Sequence, residues 1–216
     1  MIDMKIKELI NKVCTLSCTK EDLVLDYSSI KNLELKDSEC SFIKYYNLNT
    51  ILDAFNKYIN KEWNIETLVN WCSIYTGIIE GDFLVNSKIN FKGVERLIYD
   101  LITTELDIFP GMYADETDYL DETLDILNKL KFYDSLWQQR KDLKAFTIER
   151  DLDPNAISVL TLLINEKTKE YMTVSSIEDI IFDESIYRIN INELKQLIHK
   201  LERIKYKQVH KEEVYI

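Results

Sequence analysis

Apolar residues recur every three to four positions through most of the first 140 residues, so the chain reads first as a succession of amphipathic helices. Residues 4–14 form a short opening helix, and residues 15–46 show no regular period beyond a helical turn near Glu21. Leu48, Ile51, Leu52, Phe55 and Ile59 then share one face, opposite Asp53, Asn56, Lys57 and Asn60. After a break at residues 60–64 the pattern resumes with Ile65, Leu68, Val69, Cys72, Tyr75 and Ile79, and Gly77 and Gly81 suit the exit of that helix. A third helix carries Val94, Leu97, Ile98, Leu101 and Ile102, and Phe109-Pro110-Gly111 is expected to end it, since proline removes an amide donor. Asp115 reads as the cap of a fourth, whose buried seam is Leu120, Leu124, Leu127 and Leu130, and a fifth segment carries Tyr133, Leu136 and Trp137. Trp63, Trp71 and Trp137 fall at apolar helical spacing and read as core or core-edge residues.

The pattern changes at Asp151-Leu152-Asp153-Pro154-Asn155, which reads as a domain boundary. Pro154 suits the start of a helix over Ala156, Val159, Leu160, Leu163 and Ile164. Met172-Thr173-Val174 is a short β-like run, after which Ser175 or Ser176 caps a helix over Ile177, Ile180 and Ile181. Ile191, Leu194, Leu197, Ile198, Leu201 and Ile204 line one face of a longer helix. Residues 206–209 and 214–216 flank a four-residue loop and read as a terminal hairpin. The expected fold class is therefore mainly α: an N-terminal helical bundle over residues 1–150 and a small α+β module over residues 156–216.

The order helix, short strand, helix, helix, hairpin resembles the winged-helix family over residues 156–216. That resemblance implies a third helix that presents Asn192, Lys195, Gln196, His199 and Arg203 to DNA, with Lys205, Lys207 and Lys211 on or beside the wing. It equally accommodates a module that serves only packing or protein contact. The glycine common between helix and wing is replaced here by Lys205 or its neighbours.

Composition narrows the class. Of 216 residues 46% are hydrophobic, enough for a packed core, while only four glycines and two prolines leave little material for turn-dense sandwiches and barrels. The four cysteines, Cys14, Cys18, Cys40 and Cys72, lie in the first third without an apolar leader ahead of them, so reduced thiols and a cytoplasmic location are expected. Cys14 and Cys18 are separated by three residues and lie far from His199 and His210, which disfavours zinc. No apolar run is long enough to span a membrane, and no cofactor is implied.

Charge is distributed unevenly. Of a net −11, residues 97–128 carry nine acids and no Lys or Arg: Asp100, Glu105, Asp107, Asp115, Glu116, Asp118, Asp121, Glu122 and Asp125. Residues 195–211 reverse the sign, setting six bases against Glu202. The phrases Ile51-Leu52 to Tyr58, Asn60-Lys61-Glu62-Trp63-Asn64-Ile65-Glu66, Leu68 to Trp71 and Ile98-Tyr99-Asp100-Leu101 resemble bacterial immunity proteins that neutralise toxins. The resemblance covers residues 48–137 and implies a non-enzymatic inhibitor.

A fixed acidic patch gains steered association with a cationic partner such as a toxin domain, and covers the groups that would grip phosphate. The candidate contact residues are Glu105, Asp107, Asp115, Glu116, Asp118, Asp121, Glu122 and Asp125; the first-turn dipole explains Asp115, Glu116 and Asp118, whereas Asp121, Glu122 and Asp125 are expected beyond it. The same segment also reads as the solvated face of helices with acids near their N-termini. Glycine-rich phosphate loops, Gly-x-Ser-x-Gly elbows and His-Glu-x-x-His motifs are absent from the sequence, and a divalent-cation role for Asp118, Asp121, Glu122 and Asp125 lacks a supporting histidine. The sequence thus points to a binding protein that occludes a basic partner, with a winged-helix DNA-binding regulator as the alternative.

Overall fold

The computed structural model describes residues 2–24, 47–85, 91–112, 120–148, 158–177 and 186–211. Five helices appear where the periodicity placed helical segments: α1 (Ile2–Cys14), α2 (Leu48–Ile59), α3 (Ile65–Val85), α4 (Val94–Met112) and α5 (Leu120–Gln139). The turn expected near Glu21 is a short 3-10 helix over Asp22–Val24. Two of these helices outrun their expected ends. α3 continues through Gly77 and Gly81, its Leu68, Trp71, Cys72, Ile74 and Tyr75 so deeply buried that packing outweighs the cost of glycine, about 1 kcal/mol each. α4 continues through Pro110, which sits in the last turn, two residues before the end of the helix.

α5 joins the two segments expected on either side of residue 130, and its seam is turned from the expected one. Thr123, Ile126, Leu127, Leu130, Tyr133 and Leu136 are buried, whereas Leu120 and Leu124 are 40% and 37% exposed. α1 and α2 end in a left-handed residue that is not glycine. Leu16 (φ 55°) and Lys61 (φ 62°) occupy that position, with Ser17 N donating to Lys12 O at 2.9 Å and Glu62 N to Lys57 O at 2.9 Å.

Beyond residue 140 the expected order of elements fails, although the helix carrying Ile191 to Leu201 and the β-like run Met172-Thr173-Val174 are present. The chain forms β1 (Leu143–Ile148), β2 (Ser158–Asn165), β3 (Glu170–Ile177) and β4 (Tyr187–Ile189), then helix α6 (Ile191–Arg203) and β5 (Lys207–Lys211). These strands make one five-stranded mixed sheet in the order β4-β1-β2-β3-β5. β2 is antiparallel to both its neighbours, β1 and β3; β4 runs parallel to β1 and β5 parallel to β3. The mainly helical, winged-helix-like reading is therefore overturned: the chain is α+β, and its sheet is larger than a wing.

Three particulars account for that correction. The helix expected over residues 156–164 is strand β2, whose apolar run is continuous because both of its faces are buried, with Leu162 and Leu163 each at 0% exposure. Ser175 and Ser176 lie within β3 rather than capping a helix, and residues 178–185, with Ile180 and Ile181, fall outside the described residues. Residues 206–209 do not begin a hairpin wing among the described residues; β5 includes His210 and Lys211 and joins β3 in parallel, while residues 212–216 fall outside the description.

α6 carries the chain from the β4 edge to the β5 edge. Thirteen residues span about 20 Å, close to the roughly 19 Å of four strand spacings. Asn190 starts it with a capping box: its Oδ1 accepts from Asn192 N and Glu193 N at 3.0 Å, and Glu193 Oε2 accepts from Asn190 N at 2.9 Å. Leu194 and Leu201 pack against Ile148, Leu160, Leu162 and Tyr171 on one face of the sheet.

The contacts divide the chain into a helical unit, residues 1–90 and 102–134, and a sheet unit, residues 91–101 and 135–216. In the helical unit Trp71 stacks on Tyr75 with ring centroids 4.5 Å apart and donates from Nε1 to Val13 O at 3.0 Å, tying α3 to the end of α1. Phe55 of α2 meets Phe109 of α4 at 5.3 Å. In the sheet unit Arg140 lies over the Trp137 ring at 4.5 Å and bonds Glu95 at 2.8 Å.

Candidate functional site

Charge separates with the fold. The helical unit holds 22 Asp and Glu against 12 Lys and Arg, the sheet unit 16 against 15, so almost all of the net −11 falls within the residues of the helical unit. Within the helical unit Asp107 on α4 and Asp121, Glu122 and Asp125 on α5 are exposed. Asp115, Glu116 and Asp118 lie outside the described residues.

Glu105 departs from the expected surface role. It is turned inward, accepting from Tyr133 Oη at 3.3 Å and from Lys129 Nζ at 3.4 Å, with its side chain only 15% exposed. Lys129 lies also 3.6 Å from Asp125, one turn earlier on α5, so one ammonium bridges two carboxylates. Glu105 thus fixes α4 against α5 and leaves Asp107, Asp121, Glu122 and Asp125 as the outward groups. Contrary to expectation, Asp121 and Glu122 occupy the first turn of α5 as described, where exposed amides favour them, and Asp125 alone of the three lies beyond it.

The basic residues of the C-terminal stretch are all outside the core. Asn192, Lys195, Gln196, His199 and Arg203 project from the face of α6 opposite Leu194 and Leu201, and every one is exposed; so are Lys205, Lys207 and Lys211. Sequence reasoning missed their neighbour Lys169. It closes the β2–β3 turn, whose Asn165 Oδ1 accepts from Lys167 N and Thr168 N at 3.0 Å. The signal was the polar run Asn165-Glu166-Lys167-Thr168-Lys169 between two apolar stretches, hidden because the first stretch reads as a helix.

Other ionisable groups are committed locally. Lys12 donates to Asp22 at 2.8 Å, which holds the Asp22 carboxyl below its ordinary range and the ammonium above its own. Lys144 and Glu166 do the same at 2.8 Å. Burial, with the neighbouring Cys18 adding to it, pushes the Cys14 thiol up to about 12, and burial raises Cys18 to about 11. Cys72 is shifted upward by burial as well. Thiolate is the reacting form, so both Cys14 and Cys18 are expected to react with iodoacetamide at pH 8 at least about tenfold more slowly than free cysteine, as followed by mass spectrometry. Alkylation at the free-thiol rate would show that neither is protected.

Among the described residues no group of three or more His, Cys, Asp or Glu side chains is placed to hold a metal ion, and no helix is long and apolar enough to cross a membrane. No family model, curated protein or solved structure matches the chain. Its residues form two charged surfaces, an acidic helical surface on one unit and a basic helix face on the other.

Proposed function

We propose that the chain is a non-enzymatic, cytoplasmic binding protein of the immunity or antitoxin type, which occludes a cationic protein partner with the acidic surface of its helical unit. The observation that carries this reading is the excess of 22 acids over 12 bases in that unit, with Asp107, Asp121, Glu122 and Asp125 outward. Such a surface concentrates a basic partner by its field and raises the association rate about 10- to 1,000-fold at low salt. It also places carboxylates over the lysines and arginines with which a nuclease-like partner would hold phosphate. The free thiols Cys14, Cys18 and Cys72 suit a reducing compartment.

Affinity purification of the tagged chain from its native host, followed by association kinetics with the captured protein, tests the reading. The triple variant D121K/E122K/D125K is expected to slow association by about tenfold or more at low salt and to flatten its salt dependence. Its thermal midpoint should fall by no more than several degrees, since the reversal loses the first-turn interactions of Asp121 and Glu122 and the Asp125–Lys129 pair but disturbs no buried group. An unchanged association rate, or recovery of nucleic acid in place of any protein, would end the proposal.

A further inference from the structure

We propose that the sheet unit carries a second binding surface, a face for the phosphate backbone of nucleic acid, built from the outer side of α6 and the two turns at its C-terminal end. It stands independently of whether the acidic surface binds protein. Some bases elsewhere are taken up by carboxylates, with Lys12–Asp22, Arg96–Asp100, Arg140–Glu95 and Lys144–Glu166 all pairing at 2.8 Å, while Lys61, Lys92, Lys131 and Lys141 make no ion pair among the described residues. Lys195, Lys200, Arg203, Lys205, Lys207 and Lys211 are exposed and make no ion pair among the described residues. In a chain whose acids outnumber its bases 38 to 27, these six bases lie within seventeen residues that hold one acid, Glu202, a local excess of positive charge. The negative end of the helix dipole accounts for Lys200 and Arg203, which lie in the last turn of α6, but not for Lys195, Lys207 or Lys211.

Backbone geometry brings a further lysine beside this face. Lys205 (φ 64°) ends α6 and Lys169 (φ 60°) ends the β2–β3 turn, both in the left-handed region that favours glycine, as Lys61 does at the end of α2. The two turns are joined: Lys207 N donates to Lys169 O at 2.9 Å, and Lys169 Nζ lies 3.2 Å from Tyr206 Oη and 5.2 Å above its ring. Lysine is thus held at two strained, adjacent positions beside the exposed bases of α6. On the helix itself Asn192, Gln196 and His199 are interleaved with Lys195, Lys200 and Arg203, supplying hydrogen-bonding groups beside charges at steps of about 6 Å along the axis. A membrane surface fits less well. The outward side of α6 from Asn192 to Arg203 presents no aliphatic residue, and only Ile204 and Val209 are exposed near it.

Fluorescence anisotropy of the full chain at about 50 mM salt, with a labelled 20-base-pair duplex, a 20-nucleotide single strand and phosphatidylserine vesicles as probes, decides the matter. Binding of duplex or single strand is expected, with log affinity falling by about 0.7 to 0.9 per log unit of salt for each phosphate contacted. The variant K195E/R203E should weaken that binding by about tenfold or more and reduce the slope by about two contacts, with the melting temperature lowered by no more than a few degrees through the loss of Arg203 at the helix end. Absence of nucleic-acid binding, binding indifferent to K195E/R203E, or binding confined to the vesicles would overturn the proposal.

Discussion

A fragment comprising residues 151–216 is expected to remain unfolded in isolation, because it omits β1 from the interior of the sheet. β1 lies between β4 and β2, paired in parallel with the first and antiparallel with the second over Leu143↔Asn165 to Thr147↔Thr161. Its loss leaves β4 without a neighbouring strand and removes Ile148 and Phe146 from the core beneath α6. Leu143, Ala145 and Thr147, buried on the other face, go with them. At about 1.5–3 kcal/mol for each large apolar side chain, the loss approaches the 5–15 kcal/mol that separates most folded domains from their unfolded chains. β2 would then be an exposed edge with the apolar run Leu160-Thr161-Leu162-Leu163-Ile164, a template for aggregation. Far-UV circular dichroism and size exclusion of the fragment provide the check; a monomer with a cooperative thermal transition would show that residues 151–216 fold without β1.

The same strand shows where the sequence was legible and where it was not. Helices with one buried face announce themselves by their period, and α2 and α6 follow the expected boundaries within a residue. A central strand buried on both faces has no polar alternation to reveal it, so β2 passes for a helix when Pro154 precedes it. β1 has the alternation, but Lys144 is its only charged residue and six positions are too few to stand out. β4, three residues long, gives no period at all. In the candidate site exposure could be read from sequence for Asp121, Glu122, Asp125 and the basic face of α6, since each lies opposite an apolar seam. Glu105 could not, because its burial depends on Lys129 and Tyr133, more than twenty residues away along the chain.

Leu162→Ala is expected to cost about 3–5 kcal/mol, against less than about 0.5 kcal/mol for Lys195→Ala. Leu162 is wholly buried at the middle of β2, opposite Phe146 on one side and Thr173 on the other, and belongs to the cluster that receives Leu194 and Leu201 from α6. Ladders on both flanks hold β2 in place, so it cannot shift to fill the space that a truncated side chain leaves, and the cavity term adds to the lost transfer energy. Leu163→Ala, on the opposite face and equally buried, should lose a comparable amount. The pair discriminates between folds. A helix whose seam is Ala156, Val159, Leu160, Leu163 and Ile164 would turn Leu162 toward water and make its truncation nearly neutral, whereas a strand buried on both faces makes both substitutions costly. Urea unfolding measures this as a fall in midpoint at constant slope. A loss below about 1 kcal/mol for Leu162→Ala beside a large one for Leu163→Ala would contradict the sheet and restore the single-faced helix.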